Sequence, residues 1–290
     1  MHSMTGYGRC RLEADGRALT IEIKTVNHRF LDLSLRLPRA MMPLEDRARK
    51  AIGAALSRGH ADVFIGYQNT RGDARQVRVD LPLAGAYQKA LEELAAHVGV
   101  QADVSLSQIA QLPDILTVAE GEDDIAAIGT LLEAALGQAL SDVKIMRARE
   151  GEAMRQDLTD RLNALAGIAA QIAERAPQVV EAYRARLQAR IEEALAAPPD
   201  PQRLLQEVAL FADRAAIDEE LARLSSHIAQ IRAAFASAEP VGRKLDFLVQ
   251  ELNREVNTIG SKASDAAIAA LTVAAKAEIE KMREQVQNIE

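Results

Sequence analysis

The chain lacks tryptophan, holds a single cysteine, and draws only 3% of its 290 residues from the aromatic rings. One cysteine, Cys10, excludes an internal disulfide framework and any zinc site built on cysteines. So few rings argue against the base-stacking platforms of single-strand-binding proteins. No apolar run approaches the roughly 20 residues that cross a bilayer. The opening MHSMTGYGRC has no hydrophobic stretch of the signal-peptide kind. A cytoplasmic location with no membrane partner is therefore expected. G-x-S-x-G, H-E-x-x-H, C-x-x-C and RNA-recognition signatures with paired aromatics are also missing. Thr5-Gly6-Tyr7-Gly8 does not continue into a Rossmann turn or a P-loop, which disfavours a nucleotide cofactor.

What is present is an ordinary globular composition, 48% hydrophobic and 27% charged. The net charge of −7 is unevenly spread. Residues 1–80 hold 14 Lys and Arg against 9 Asp and Glu; the rest hold 21 against 33. The first part offers cations to phosphate and the second offers carboxylates, although two differently solvated faces would give the same counts.

Alternation with period two marks strands at 3–14, 19–27 and 30–37, with Asp15-Gly16 as a hairpin turn. Leu19, Ile21, Ile23 and Thr25 share one face of the second strand. A helix is expected over 43–57, and further strands over 60–68 and 75–81. From residue 82 the pattern turns helical: 82–98, 105–116, 122–150 and 151–196. Gly151 is read as a hinge and Pro177 as a break or kink. Pro198, Pro199 and Pro201 form a linker. Helices over 202–237, 241–259 and 264–289 follow, with Ala238-Glu239-Pro240 between the first two. The fold class is α+β: a mostly antiparallel N-terminal sheet domain with helices (1–155), a helical arm and Pro-rich linker (156–202), and a C-terminal helical domain (203–290). The apolar stripe Leu131, Leu132, Ala135, Leu136, Ala139, Leu140 and Val143 needs a cover, which points to oligomerisation.

Two C-terminal helices carry polar stripes of unusual make-up. On the first, Glu220, Arg223 and His227 flank the apolar residues Ile217, Leu221, Leu224, Ile228, Ile231 and Phe235. A carboxylate, a cation and an imidazole so arranged suit a metal or a phosphate. A salt-bridged flank with a packed histidine reads the same way. On the second, Asp246, Gln250, Asn253 and Asn257 form one stripe and Lys244, Glu251 and Glu255 another, while Arg243 and Arg254 face away from the core. Asn and Asp are poor interior helix formers, so polar partners are expected. Glu251 and Glu255, at i and i+4, suit a hard cation, though that spacing is also common on solvated helices. In the first part, Asn27, His28 and Arg29 interrupt a strand pattern, and Arg36, Arg47, Arg49, Lys50 and Arg58 are candidate phosphate contacts.

The words MTGYGR (4–9), VNHRFLDL (26–33), REGE (149–152), EELARLSSHI (219–228), GRKLDFLVQELNREVNTIGSKA (242–263) and EKMREQVQNIE (280–290) occur in order. With them the whole chain resembles the YicC/YloC family of bacterial proteins. One departure stands out: where the family places an acid, this chain has Ala216, and Asp218 appears two residues later. The resemblance implies a cytoplasmic endoribonuclease that needs a divalent cation, Mg²⁺ or Mn²⁺, and works as a ring-like homo-oligomer, a hexamer, enclosing RNA. The expected catalytic residues are Glu220, His227, Arg223 and Glu251, and the expected metal ligands Glu220, Glu251 and Glu255. RNA contacts are expected from Asn27, His28, Arg29, Arg36, Arg58, Arg243, Lys244 and Arg254. Two other readings fit the same surfaces: a non-catalytic adaptor that presents RNA to other ribonucleases, and a structural oligomer.

Overall fold

The structure, a computed structural model, describes residues 1–72, 75–101, 103–120, 124–195, 200–237 and 241–290. The expected linker prolines 198 and 199 and the separator at 238–240 lie outside these residues.

Alternating sequence builds the first layer. Strands β1 (Gly6–Ala14) and β2 (Arg17–Val26) are joined by Asp15 and Gly16, both at positive φ, as a tight hairpin requires. With β3 (Leu31–Arg36) and β4 (Gly59–Asn69) they form a sheet of order β1-β2-β4-β3. Only the β3–β4 pairing is parallel. Leu19, Ile21, Ile23 and Thr25 are buried on one face, and Cys10 is buried beside them. A 3-10 turn (Arg39–Leu44) and helix α1 (Glu45–Ala55) take the place of the single helix expected over 43–57.

The strand expected over 75–81 does not extend this sheet. Strand β5 (Arg75–Val79) pairs instead with β6 (Leu116–Glu120), a strand absent from the sequence reading. Between them lie α2 (Leu81–Val98) and α3 (Leu106–Gln111). Asp80 caps α2 by accepting from the Leu83 N–H, with Pro82 in the first turn, and Ser105 and Gln108 form a capping box at α3.

One helix, α4 (Ile125–Leu195, 71 residues), replaces the two expected over 122–150 and 151–196, and it carries Pro177 inside it. At a rise of 1.5 Å per residue its contour is about 105 Å. Its first part lies across β1 and β2, so Leu132, Ala135, Leu136, Ala139, Leu140 and Val143 are buried against the chain's own sheet. That stripe needs no second copy to cover it, contrary to expectation. Gly8 allows the contact: a Cβ there would run into the Ala139 carbonyl.

Gly151 is not a hinge. The helix runs through it, and a Cβ would lie 2.6 Å from the Met1 carbonyl oxygen and 2.8 Å from His2 Cα. The glycine makes room for the N-terminal segment, which pairs with the C-terminal one through an antiparallel bridge, Ser3 to Ile289. Buried Arg147 of α4 locks this clasp. Its Nε donates to the Ser3 carbonyl at 2.6 Å and its guanidinium lies 2.7 Å from the Glu290 carboxylate. Thr5 donates to the Glu150 carboxylate at 2.8 Å.

The helix expected over 202–237 is two, α5 (Pro201–Ala215) and α6 (Asp218–Ala234), broken at Ala216-Ile217. Ile217 is buried at the break, and Asp218, Glu219 and Glu220 fill the first turn of α6, where the helix dipole favours acids. Helices α6 and α8 (Ala266–Val286) pack on the second part of α4, and α7 (Gly242–Lys262) packs on α6 and α8, around a shared core that includes Leu158, Leu162, Leu165, Leu245, Leu252 and Ile279. Thus α4 belongs to both cores.

Candidate active site on the C-terminal helices

Helix α7 turns Leu245, Leu248, Val249, Leu252, Val256 and Ile259 inward. That stripe docks against the matching one on α6 and aims the flanking Glu251 and Glu255 toward His227. One donor atom from each of His227, Glu251 and Glu255 lies within 4.8 Å of the others. Glu255 is 3% exposed, and the other two are half-buried. The nearest cation to Glu255 is Arg223, at 3.9 Å, which also pairs with Glu219 one turn earlier. Arg254 stands 3.7 Å from Glu251. Nδ1 of His227 is buried without a hydrogen-bond partner among the described residues. A buried ring nitrogen left unmatched beside two carboxylates is a donor set of the kind a cation can take.

Glu220 does not join them. Seven residues separate it from His227, about 10 Å along the helix. The residue is 5% exposed, and its carboxylate accepts from Lys262 Nζ at 2.8 Å. Burial pushes its pKa up; the Lys262 hydrogen bond, a backbone hydrogen bond and the Lys262 and Arg223 charges outweigh that and hold it below the ordinary carboxylate range. The pair ties the first turn of α6 to the last residue of α7.

The expected RNA contacts fall in several places. Asn27, Arg29, Arg58 and Arg243 meet in one cleft between the end of the sheet and the start of α7. Lys244 is exposed one residue further on, and Arg254 lies beside Glu251 of the His227–Glu251–Glu255 cluster. Arg36 lies apart, in a hollow on the outer sheet face with Lys24, Tyr7 and Phe64. Arg47 and Arg49 are taken up by Glu133 and Glu45.

His28 is exposed, its Nδ1 3.0 Å from the Phe30 carbonyl oxygen, and its ring meets that of His60 edge-on at 6.5 Å. His60 escaped the sequence reading. The parallel register sets Asp32 against it, at 2.8 Å, and Asp62 lies 3.4 Å away. The Asp32 hydrogen bond pushes the His60 pKa above the ordinary imidazole value against the effect of burial, with Asp62 adding to the rise. Alternation of His60 and Asp62 was visible in the sequence; the pairing with β3 was not.

Fold and site define an α+β protein whose carboxylates and imidazole converge on the helical half. Residues 1–156 match the family model described as "Endoribonuclease YicC-like, N-terminal region", and residues 172–290 match "Endoribonuclease YicC-like, C-terminal". The chain is 39% identical over 290 residues, 99% of each chain, to a protein named probable endoribonuclease YicC from Clostridioides difficile (strain 630). It is 34% identical, over all of each chain, to a probable endoribonuclease YicC from Haemophilus influenzae (strain ATCC 51907 / DSM 11121 / KW20 / Rd). The chain belongs to the YicC-like family.

Proposed function

We propose that this protein is an endoribonuclease that cuts internal phosphodiester bonds of RNA with the help of Mg²⁺ or Mn²⁺, as a ring-like homo-oligomer, a hexamer, in the cytoplasm. The observation that carries the reading is the convergence of His227, Glu251 and Glu255 in a chain whose relatives are named probable endoribonucleases. One nitrogen and two carboxylate donors, with an unmatched buried imidazole nitrogen among them, fit a divalent cation. Bound there, such a cation would supply Lewis acidity beside a scissile phosphate. Arg223, half-exposed and next to Glu255, offsets the charge that develops on the phosphate oxygens. His227 takes part as the nitrogen ligand of the set. Glu220 is a positioning residue: through Lys262 it keeps α6 and α7 in register.

Self-association has support of its own. Val77, Val79, Leu116 and Val118 of the β5–β6 ribbon are all exposed, between 47% and 67%. A two-stranded ribbon is marginal alone and leaves two open edges, so a second copy is the natural cover. The Val77→Asp/Val118→Asp double variant is expected to dissociate the oligomer in sedimentation velocity; an unchanged oligomer would remove the ribbon from the interface.

The activity is tested on an end-labelled structured RNA with purified protein, with Mn²⁺ or Mg²⁺, with EDTA, and with His227→Ala and Glu255→Gln. Internal cuts should vanish with EDTA. The variants should lose more than the roughly 10–100-fold that follows from losing an outer-sphere partner of a ligand. Cuts that persist in EDTA and in both variants would sink the metal site. RNA that is bound and never cut would make the protein an adaptor.

A further inference from the structure

The cleft at the junction of the two cores has a volume of about 410 Å³ and gathers Arg29, Arg58, Arg243 and Arg283 with Asn27 and Asp246. Arg29 and Arg58 come from the loops flanking β3 and β4, Arg243 from α7 and Arg283 from α8, so the fold brings together cations distant in the chain. Arg283 has Glu280 at 3.6 Å, and Asp246 accepts from Gln250 at 3.0 Å. Arg29, Arg58 and Arg243 have no ion pair among the described residues, and Nε of Arg58 is buried without a hydrogen-bond partner. Three unneutralised guanidiniums around one hollow repel one another, an arrangement that an anion relieves.

The start of α7 adds to this. Gly242 lines the cleft, Val241 gives the helix no side-chain cap, and the first turn holds no acid. The positive end of a 21-residue helix dipole therefore borders the same hollow.

Along α7, Arg243, Phe247 and Glu251 are spaced i, i+4 and i+8 and lie along one side of the helix. Phe247 is 59% exposed, between Leu245 and Leu248, which are buried. Its ring is thus left largely to solvent on the polar side of the helix. About 12 Å of helix separates the backbone of Arg243 from that of Glu251. A strand covers that distance in about two to four nucleotides, the larger number for bases stacked at ~3.4 Å.

We propose that the arginine cleft is a phosphate-anchoring subsite for single-stranded RNA, and that Phe247 stacks a base between that anchored phosphate and the His227–Glu251–Glu255 cluster. The proposal rests on the RNA reading above. A single ring is enough for it, because the guanidiniums hold the backbone and the ring sets the register of the strand on α7.

The test is binding of a short fluorescent single-stranded RNA in EDTA, followed by anisotropy across a salt series. Parent protein is compared with Arg29→Gln/Arg243→Gln and with Phe247→Ala, all at exposed side chains, with the assembly state of each checked by sedimentation. The double variant should bind about tenfold or more weakly, with the slope of log affinity against log salt smaller by about 1.4, near 0.7 per lost phosphate contact. Phe247→Ala should weaken binding roughly tenfold and leave the slope unchanged. Failure of the parent to bind, or equal affinity and slope in the double variant, overturns the cleft. Loss of assembly rather than of affinity in Phe247→Ala overturns the stacking role and makes the ring a subunit contact. Binding is read without cleavage, so a parent that binds with the expected slope and never cuts when metal is added refutes the nuclease reading and leaves the subsite standing.

Discussion

Two glutamates on the facing helices α6 and α7 differ in what surrounds them. Glu255 is buried beside a histidine, with an arginine at 3.9 Å, whereas Glu220 is buried under a lysine at 2.8 Å. For Glu220 the folded pKa lies below the ordinary carboxylate value. The stability this contributes is present in full above that value and is lost as pH falls through the folded pKa. Lys262→Met removes the hydrogen bond and the nearest charge that oppose burial, leaving only the backbone hydrogen bond and Arg223 against it, so the pKa of the carboxyl moves up. The variant should lose about 2 kcal/mol at pH 7, less than the ~3–5 of a fully enclosed pair because Lys262 is partly exposed. That deficit should shrink at pH 4, where the carboxyl protonates. Urea unfolding at the two pH values measures it, and an equal deficit at both would show that the pair does not carry the effect. Glu251, Glu255 and His227 were legible because the helix period places the carboxylates together and the histidine at an edge of its stripe. Lys262, 42 residues from Glu220, was not, because nothing local encodes a contact between two helices. His60 and Asp32 were hidden for the same reason, since their meeting depends on strand register.

Among the elements, α4 departs furthest from its sequence pattern. A glycine in the middle of a helix weakens it by about 1 kcal/mol relative to alanine, which is why Gly151 reads as a hinge. The N-terminal segment crosses the helix there and needs the space. Gly151→Ala should therefore lower stability, by about 1–2 kcal/mol, although alanine is the better helix former. A rise in the denaturation midpoint would mean that the crossing segment is not held against α4. The converse error occurred at Ala216-Ile217, where a continuous apolar period concealed a break. Three acids in a row after Ile217 were the available signal of a helix start. Strands β1, β2 and β4 were readable because each has one buried face, and β3 because its alternating leucines, Leu31, Leu33 and Leu35, are half-buried against the same core. Strand β6 was not, because Leu116 and Val118 are exposed and give no inward period.

For the whole molecule, the helical half and the sheet half share a single rod. The two family models leave 157–171 between them, and those residues lie inside α4 without interruption. Both cores also meet at the Ser3–Ile289 bridge. Calorimetry of the intact chain should accordingly give one unfolding transition; two separated transitions would show that the rod does not couple the cores. A chain of 290 residues folded as a ball has a radius of gyration of about 19 Å. The contour of α4 alone is about twice the ~50 Å diameter of that ball. A particle drawn out in this way meets more friction than its mass implies. It will leave a sizing column early, so elution volume overstates the number of chains, and subunits have to be counted by light scattering.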